Sequence, residues 1–207
     1  MSKKIMIVDD EADVVETVKL ILESEGYDTM HAYNGMECLE KLENEEPDLI
    51  LLDIMMQPMN GWEVLRQIKS NEKLKDIPVS MLTVVPLTAE NFKDEKIESI
   101  ENYIIKPFSK KGLLEKVREL LKMEEKVGNV AEMLKEKVGE DIAKNYEKLV
   151  KEINRHRKLI GVLRESTKGA VGLEKEAVEG VIKSRERMIE INKKRLEAIK
   201  KMANIEI

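Results

Sequence analysis

The sequence predicts an α/β chain: a doubly wound, five-stranded parallel sheet followed by an α-helical hairpin or coiled-coil segment. Two observations carry this. In the first 123 residues short apolar runs alternate with stretches of helical period, five times over, which is the pattern of βα units in a parallel sheet. Beyond residue 123 no strand signal remains, and apolar residues recur only by threes and fours. Charge divides the chain at the same place. Residues 1–123 carry 16 Lys and Arg against 25 Asp and Glu, and residues 124–207 carry 20 against 16.

Lys4 to Val8 is a short apolar run that stops at Asp9-Asp10. Val14, Val15, Val18, Ile21 and Leu22 follow at helical spacing, closed by Gly26. Tyr27 to Ala32 reads as a second strand ending at the Asn34-Gly35 turn signal, and Met36 to Leu42 as a helix. Asp48 to Asp53 is apolar on both faces, as a central parallel strand must be. Trp62 to Ile68 is a helix, Val79 to Val85 a strand and Glu90 to Ile100 a helix. Tyr103 to Ile105 is the last strand before Lys106-Pro107, and Leu113 to Met123 closes the half as a helix. Ligands of such sheets collect at the carboxyl ends of the strands. Asp9, Asp10, Asp53, Thr83 and Lys106 all fall there.

Chemistry follows from that rim. Carboxylates placed together repel unless a cation lies nearby. Asp9, Asp10 and Asp53 offer hard oxygen ligands suited to Mg²⁺, which keeps several waters and accepts one or two carboxylates. A lysine ammonium and a threonine hydroxyl are suitable partners for phosphoryl oxygens. With those charges offset, an aspartate can attack phosphorus in line. The bland alternatives are that Asp9-Asp10 caps a helix and that Asp53 only starts a loop; their joint occurrence in order at strand ends argues against coincidence.

The segments Val8-Asp9-Asp10-Glu11, Leu52-Asp53-Ile54-Met55-Met56, Met59-Asn60-Gly61, Met81-Leu82-Thr83 and Tyr103 to Phe108 make residues 3 to 122 resemble the receiver domain of two-component response regulators, the chemotaxis-regulator type. The resemblance implies a flavodoxin-like receiver over residues 1–123; it does not extend to residues 124–207, whose helical periodicity reads as an output or dimerisation segment. The resemblance implies that Asp53 accepts a phosphoryl group from a sensor histidine kinase, and that Asp9, Asp10, Asp53 and the Met55 carbonyl hold Mg²⁺. Thr83 and Lys106 would hold phosphoryl oxygens, with Thr83 and Tyr103 as the switch that alters the surface around the 90–100 helix and the last strand. Such a protein is a phosphoacceptor in signalling, not an enzyme acting on other substrates. Two positions depart from the family pattern. Gln57, followed by Pro58, stands where a proline is usual, and Val84 where a small residue follows the switch threonine. Bulk at Val84, with apolar Met55, predicts a slowly hydrolysed acyl phosphate.

In the second half Val127, Val130, Leu134, Val138, Ile142, Tyr146, Leu149, Ile153, His156, Ile160 and Leu163 mark one or two amphipathic helices, which Gly128 and Gly139 could interrupt. Ser166 to Gly172 reads as a connector, and Val178, Ile182, Arg185, Ile189, Asn192, Leu196 and Ile199 as a further helix. A two-helix hairpin buries little apolar surface, which predicts a homodimeric four-helix bundle whose register Arg185 and Asn192 would fix. Three outputs remain open: a protein-interaction module, DNA binding through the basic helices, and a phosphotransfer step using His156, against which stands a plain core role. Cys38 reads as a small buried hydrophobe and His31 as structural. One cysteine provides neither disulfide nor zinc cluster, no apolar run reaches the ~20 residues of a membrane span, and the start is too quickly acidic for a signal peptide. A cytoplasmic protein is the expectation.

Overall fold

In a computed structural model, residues 2–84, 102–166 and 173–205 are described. Five strands, β1 (Lys4–Val8), β2 (Asp28–Ala32), β3 (Leu49–Asp53), β4 (Val79–Thr83) and β5 (Asn102–Ile105), form one sheet in the order β2-β1-β3-β4-β5. All four pairings are parallel. Helices α1 (Ala12–Glu23), α2 (Gly35–Leu42) and α3 (Gly61–Ser70) link the first four strands. The helix expected at Glu90 to Ile100 lies outside the described residues. Then come α4 (Lys110–Val138), α5 (Glu140–Ser166) and α6 (Leu173–Ala203). The chain divides into two compact units, with the division inside α4 between Leu121 and Lys122.

The apolar strands are buried because helices cover both faces. Every residue of β3 is buried. Ile5, Ile7, Leu49 and Leu51 pack with Val15, Val18 and Leu22 of α1 and with Leu113, Leu114 and Val117 of α4. Their alternates Met6, Ile50 and Leu52 are buried too, as are Val64, Leu65 and Ile68 of α3. Cys38 of α2 lies in the core with its Sγ 4.0 Å from Met6 Sδ, and burial pushes its thiol pKa up to about 12. It is a packing residue.

Asp48 fixes the start of the central strands. Its carboxylate accepts the Lys4 N–H at 2.8 Å and the Lys3 ammonium at 2.8 Å. Burial alone would raise its pKa; the two donors outweigh it and hold the carboxyl below its ordinary value. A depressed carboxyl contributes stability above the unfolded pKa of about 3.9 and loses it as pH falls through the folded value. Asp48→Asn is therefore expected to cost about 1 kcal/mol at neutral pH, kept small by partial exposure. The gap to wild type should close in urea melts run well below pH 4; a gap of constant size would exclude the carboxylate as its source.

In the second unit the end of α4 joins the pair formed by α5 and α6. Gly128 does not interrupt α4, where a Cβ would meet nothing within 4 Å, and the helix ends only at Gly139, whose φ is +100°. The end of α4 packs Val127, Ala131 and Leu134 against Ala143, Tyr146 and Leu149 of α5 and against Ile199 and Ala203 of α6. Lys151 pairs with Glu124 at 3.0 Å. Three helices therefore close this core: the stripe over residues 127–163 is divided at Gly139 into the end of α4 and α5, and the stripe over 178–199 is α6. Asn192 is fully buried and donates from Nδ2 to Glu152 Oε2 at 2.9 Å, tying α6 to α5.

Candidate phosphoacceptor site

β1 and β3 are neighbours, yet β2 lies on the far side of β1, so the direction in which successive strands are added across the sheet reverses between them. Ligand crevices of open parallel sheets form at such a point. Val8 is in register with Leu52, which brings Asp9, one residue past the end of β1, level with Asp53, the last residue of β3. Thr83 closes β4 in register with Ile105, placing Lys106 one residue further along the same rim.

Three of the expected residues meet directly. Lys106 Nζ lies 2.6 Å from Asp9 Oδ2 and 2.6 Å from Asp53 Oδ1. Asp9 Oδ1 accepts the Glu11 N–H at 3.1 Å, so this carboxylate also serves a free donor at the start of α1. Asp53 Oδ2 accepts the Met55 N–H at 2.5 Å. Asp9 is 0% and Asp53 3% exposed. Lys106 thus stands between the two carboxylates. Burial raises the Asp9 pKa more than Lys106 lowers it. Burial also works against the Lys106 ammonium, but hydrogen bonds to Asp53 and Asp9 outweigh it, and that pKa is raised. The ammonium has two partners and each carboxylate shares one, so the net charge of this buried trio is negative.

The other expected residues are placed less tightly. Asp10 is exposed, and among the described residues no three His, Cys, Asp or Glu side chains are gathered at metal-binding distance. Met55 and Val84 are exposed, at 68% and 56%. Tyr103 is half-buried in β5, in register with Met81. His156 is buried at 8%, in the second unit. Two carboxylates on one ammonium, with Asp10 next in sequence and all donors hard oxygens, leave uncompensated negative charge that a hard divalent cation would offset. The residues present fit such an ion.

Sequence reasoning gave no role to Gly61. It opens α3, its N–H bonds the Ile54 carbonyl at 3.0 Å, and a Cβ there would lie 2.0 Å from the Asp53 carbonyl oxygen. Only glycine lets the helix start against the acceptor's own backbone. Asn60 and Glu63 fix that start with a reciprocal capping box.

A parallel sheet in the order 2-1-3-4-5 with an Asp-Asp-Lys cluster at its reversal point defines a receiver-type signalling fold. The response regulator receiver domain family matches residues 5–118, more than half of the chain, and the chain belongs to that family. It is 36% identical over 137 residues to the alkaline phosphatase synthesis transcriptional regulatory protein PhoP of Bacillus subtilis, a match that takes in 64% of this chain and 54% of that protein. The chain thus spans about half the length of this curated relative. Among solved structures, a CheY-like receiver domain protein of Methanospirillum hungatei is 35% identical, with a TM-score of 0.55 over 61% of this chain and 98% of that one. The receiver domain of a Syntrophus aciditrophicus signal transduction histidine kinase is 34% identical, with a TM-score of 0.54 over 58% and 91%. A two-component response regulator receiver with further helices is what the fold, the family and these relatives share support for. No helix among the described residues is long and apolar enough to cross a membrane.

Proposed function

We propose that a sensor histidine kinase phosphorylates Asp53 and that residues 1–123 act as a receiver for an output segment over 124–207. The observation that carries this is the pairing of buried Asp9 and Asp53 through Lys106 at the carboxyl end of the central strands. Asp53 Oδ1 would attack phosphorus in line as the bond to the donor's imidazole nitrogen breaks. Because Lys106 covers Oδ1, its ammonium must leave the carboxylate and move onto a phosphoryl oxygen, while Asp9 keeps the lysine within reach. The Met55 N–H holds Oδ2 and so aims the attacking oxygen. Asp9, Asp10, Asp53 and the Met55 carbonyl are the groups that would hold Mg²⁺, which when bound offsets charge on the phosphoryl oxygens. Thr83 would take a further phosphoryl oxygen and Tyr103 would respond as the switch. Incubation with acetyl phosphate and Mg²⁺ should add one hydroxylamine-labile phosphoryl group, read by intact mass; no addition under those conditions would remove the reading.

Bulk at Val84, next to the switch threonine, and at Met55, two residues after the acceptor, would restrict the path of an attacking water. The phosphorylated state should outlast that of fast chemotaxis regulators, and Val84→Ala should shorten it several-fold in a phosphate-release assay. An unchanged rate would show that Val84 does not gate water.

For the output, a protein-interaction module is favoured because α5 and α6, 27 and 31 residues long, are built for lengthwise packing rather than as a short groove-reading helix. The relative's role in transcription and the basic stretches of the second half keep DNA binding as the second reading, tested by salt-dependent binding of duplex DNA. A phosphorelay through His156 is opposed by its burial. Homodimerisation was expected because a lone hairpin buries too little; α4 supplies a third helix, and light scattering on the 23.8 kDa chain decides between one copy and two. A cytoplasmic location accords with the kinase partner.

A further inference from the structure

Helix α6 carries two apolar stripes, and only one is used. Val178, Ile189, Asn192, Ile199 and Ala203 are buried, and Ile182, Arg185 and Leu196 half-buried, all at alternating steps of four and three. One residue earlier on the helix, about 100° around it, runs a second series with the same steps. Its large apolar members Val181, Met188, Ile191 and Met202 are 39%, 41%, 40% and 63% exposed. Exposed Ser184, Arg195 and Ala198 complete the series. Seven positions at heptad spacing are the signature of a helix–helix seam rather than of scattered surface residues.

Charge tells what the seam fits. Arg187, Lys194 and Lys201 form an exposed basic column along one edge, seven residues apart, and Arg195 interrupts the apolar stripe itself. Among the described residues none of these four forms an ion pair, whereas neighbouring Lys193 and Lys200 are paired with Glu190 and Glu197. A second copy of α6 is a poor occupant. Antiparallel, the basic column would face its own copy; parallel, it would face Arg185, Asn192 and Ile199, which are turned toward the bundle. Like charges disfavour the first arrangement, and the second gives the basic column no carboxylate to meet.

We propose that this face of α6 docks an amphipathic helix of another protein, with an apolar heptad stripe, acidic flanks, and an Asp or Glu at the level of Arg195. Such a helix would cover Val181, Met188, Ile191 and Met202 while its carboxylates meet the four unpaired cations.

The test uses the full chain and a fluorescein-labelled synthetic helix about three heptads long, with leucine at a and d and glutamate at e and g. Anisotropy should show saturable binding weakened by salt. A peptide with lysine in place of glutamate should not bind. Met188→Glu with Ile191→Glu, at positions already well exposed, should weaken the acidic peptide by about tenfold or more while circular dichroism stays unchanged. Arg187→Glu with Lys194→Glu and Lys201→Glu should transfer binding to the lysine peptide. Failure of the acidic peptide to bind, equal binding of a sequence-scrambled acidic peptide, or indifference to the Met188 and Ile191 changes would overturn the proposal. So would self-association of wild type abolished by those two changes, which would make a second copy the occupant. Binding to phosphatidylglycerol vesicles lost with the same changes would make the face a membrane surface instead.

Discussion

Asp53→Asn is expected to abolish phosphoryl incorporation from acetyl phosphate and Mg²⁺ without unfolding the receiver half. The amide has no anionic oxygen to attack phosphorus, so the chemical effect is complete rather than graded. The effect on the fold should be slight, for a reason visible in the charges. Wild type holds two buried carboxylates on one ammonium; the substitution leaves Asp9 and Lys106 as a neutral pair 2.6 Å apart. Removing an uncompensated charge from a buried site relieves desolvation, and the amide oxygen can still accept the Met55 N–H. Thermal melting should show the variant as stable as wild type or somewhat more so. Phosphate retained in Asp53→Asn would mean that another carboxylate accepts it, with exposed Asp10 as the first to examine. A variant that lost both phosphate and fold would leave the acceptor role to be read by mass mapping of the wild-type adduct.

The sheet was legible because its strands are apolar on both faces while the intervening helices are apolar on one, and these periods differ. The site was legible for a related reason: a parallel sheet sends ligands to its carboxyl rim, and Asp9, Asp53, Thr83 and Lys106 each stand at or one residue past a strand end. What could not be read was how the charges settle. Strand ends place Lys106 near the carboxylates, but only the depth of burial places it between them. Gly128 misled because glycine within a helix is unfavourable by itself; flanking Val127 and Ala131 lie in the three-helix core, and their packing outweighs it. That continuity makes α4 the third helix of the second unit. The outward stripe of α6 was hidden differently. Its spacing is plain in the sequence, but it runs beside a stronger stripe, and exposure is needed to tell which of the two the bundle has used.

Gly61→Ala should be among the most damaging single-atom additions in the receiver half. A Cβ at this position would sit 2.0 Å from the Asp53 carbonyl oxygen and 3.0 Å from both the Asp53 carbonyl carbon and Ile54 Cα. All three are backbone atoms, so no side chain can swing aside; either α3 or the end of β3 must move. The Gly61 N–H to Ile54 carbonyl bond and the Asn60–Glu63 capping box resist the first, and the β3–β4 ladder resists the second. Alanine's better helix propensity, worth about 1 kcal/mol over glycine, is too small to compensate for overpacking against fixed backbone, so a net loss of roughly 3 kcal/mol is expected in urea unfolding. Gly128→Ala is the internal control. Open space surrounds that Cβ in mid-helix, and the same substitution there should gain about 0.5–1 kcal/mol. Function should separate from stability in the same pair. Any shift of the Asp53 carbonyl moves the carboxylate that Met55 and Lys106 aim, so Gly61→Ala should slow phosphorylation by acetyl phosphate even at temperatures where it is fully folded, and Gly128→Ala should not. If Gly61→Ala were folded and phosphorylated at the wild-type rate, the close approach of α3 to the acceptor strand would have no part in positioning Asp53.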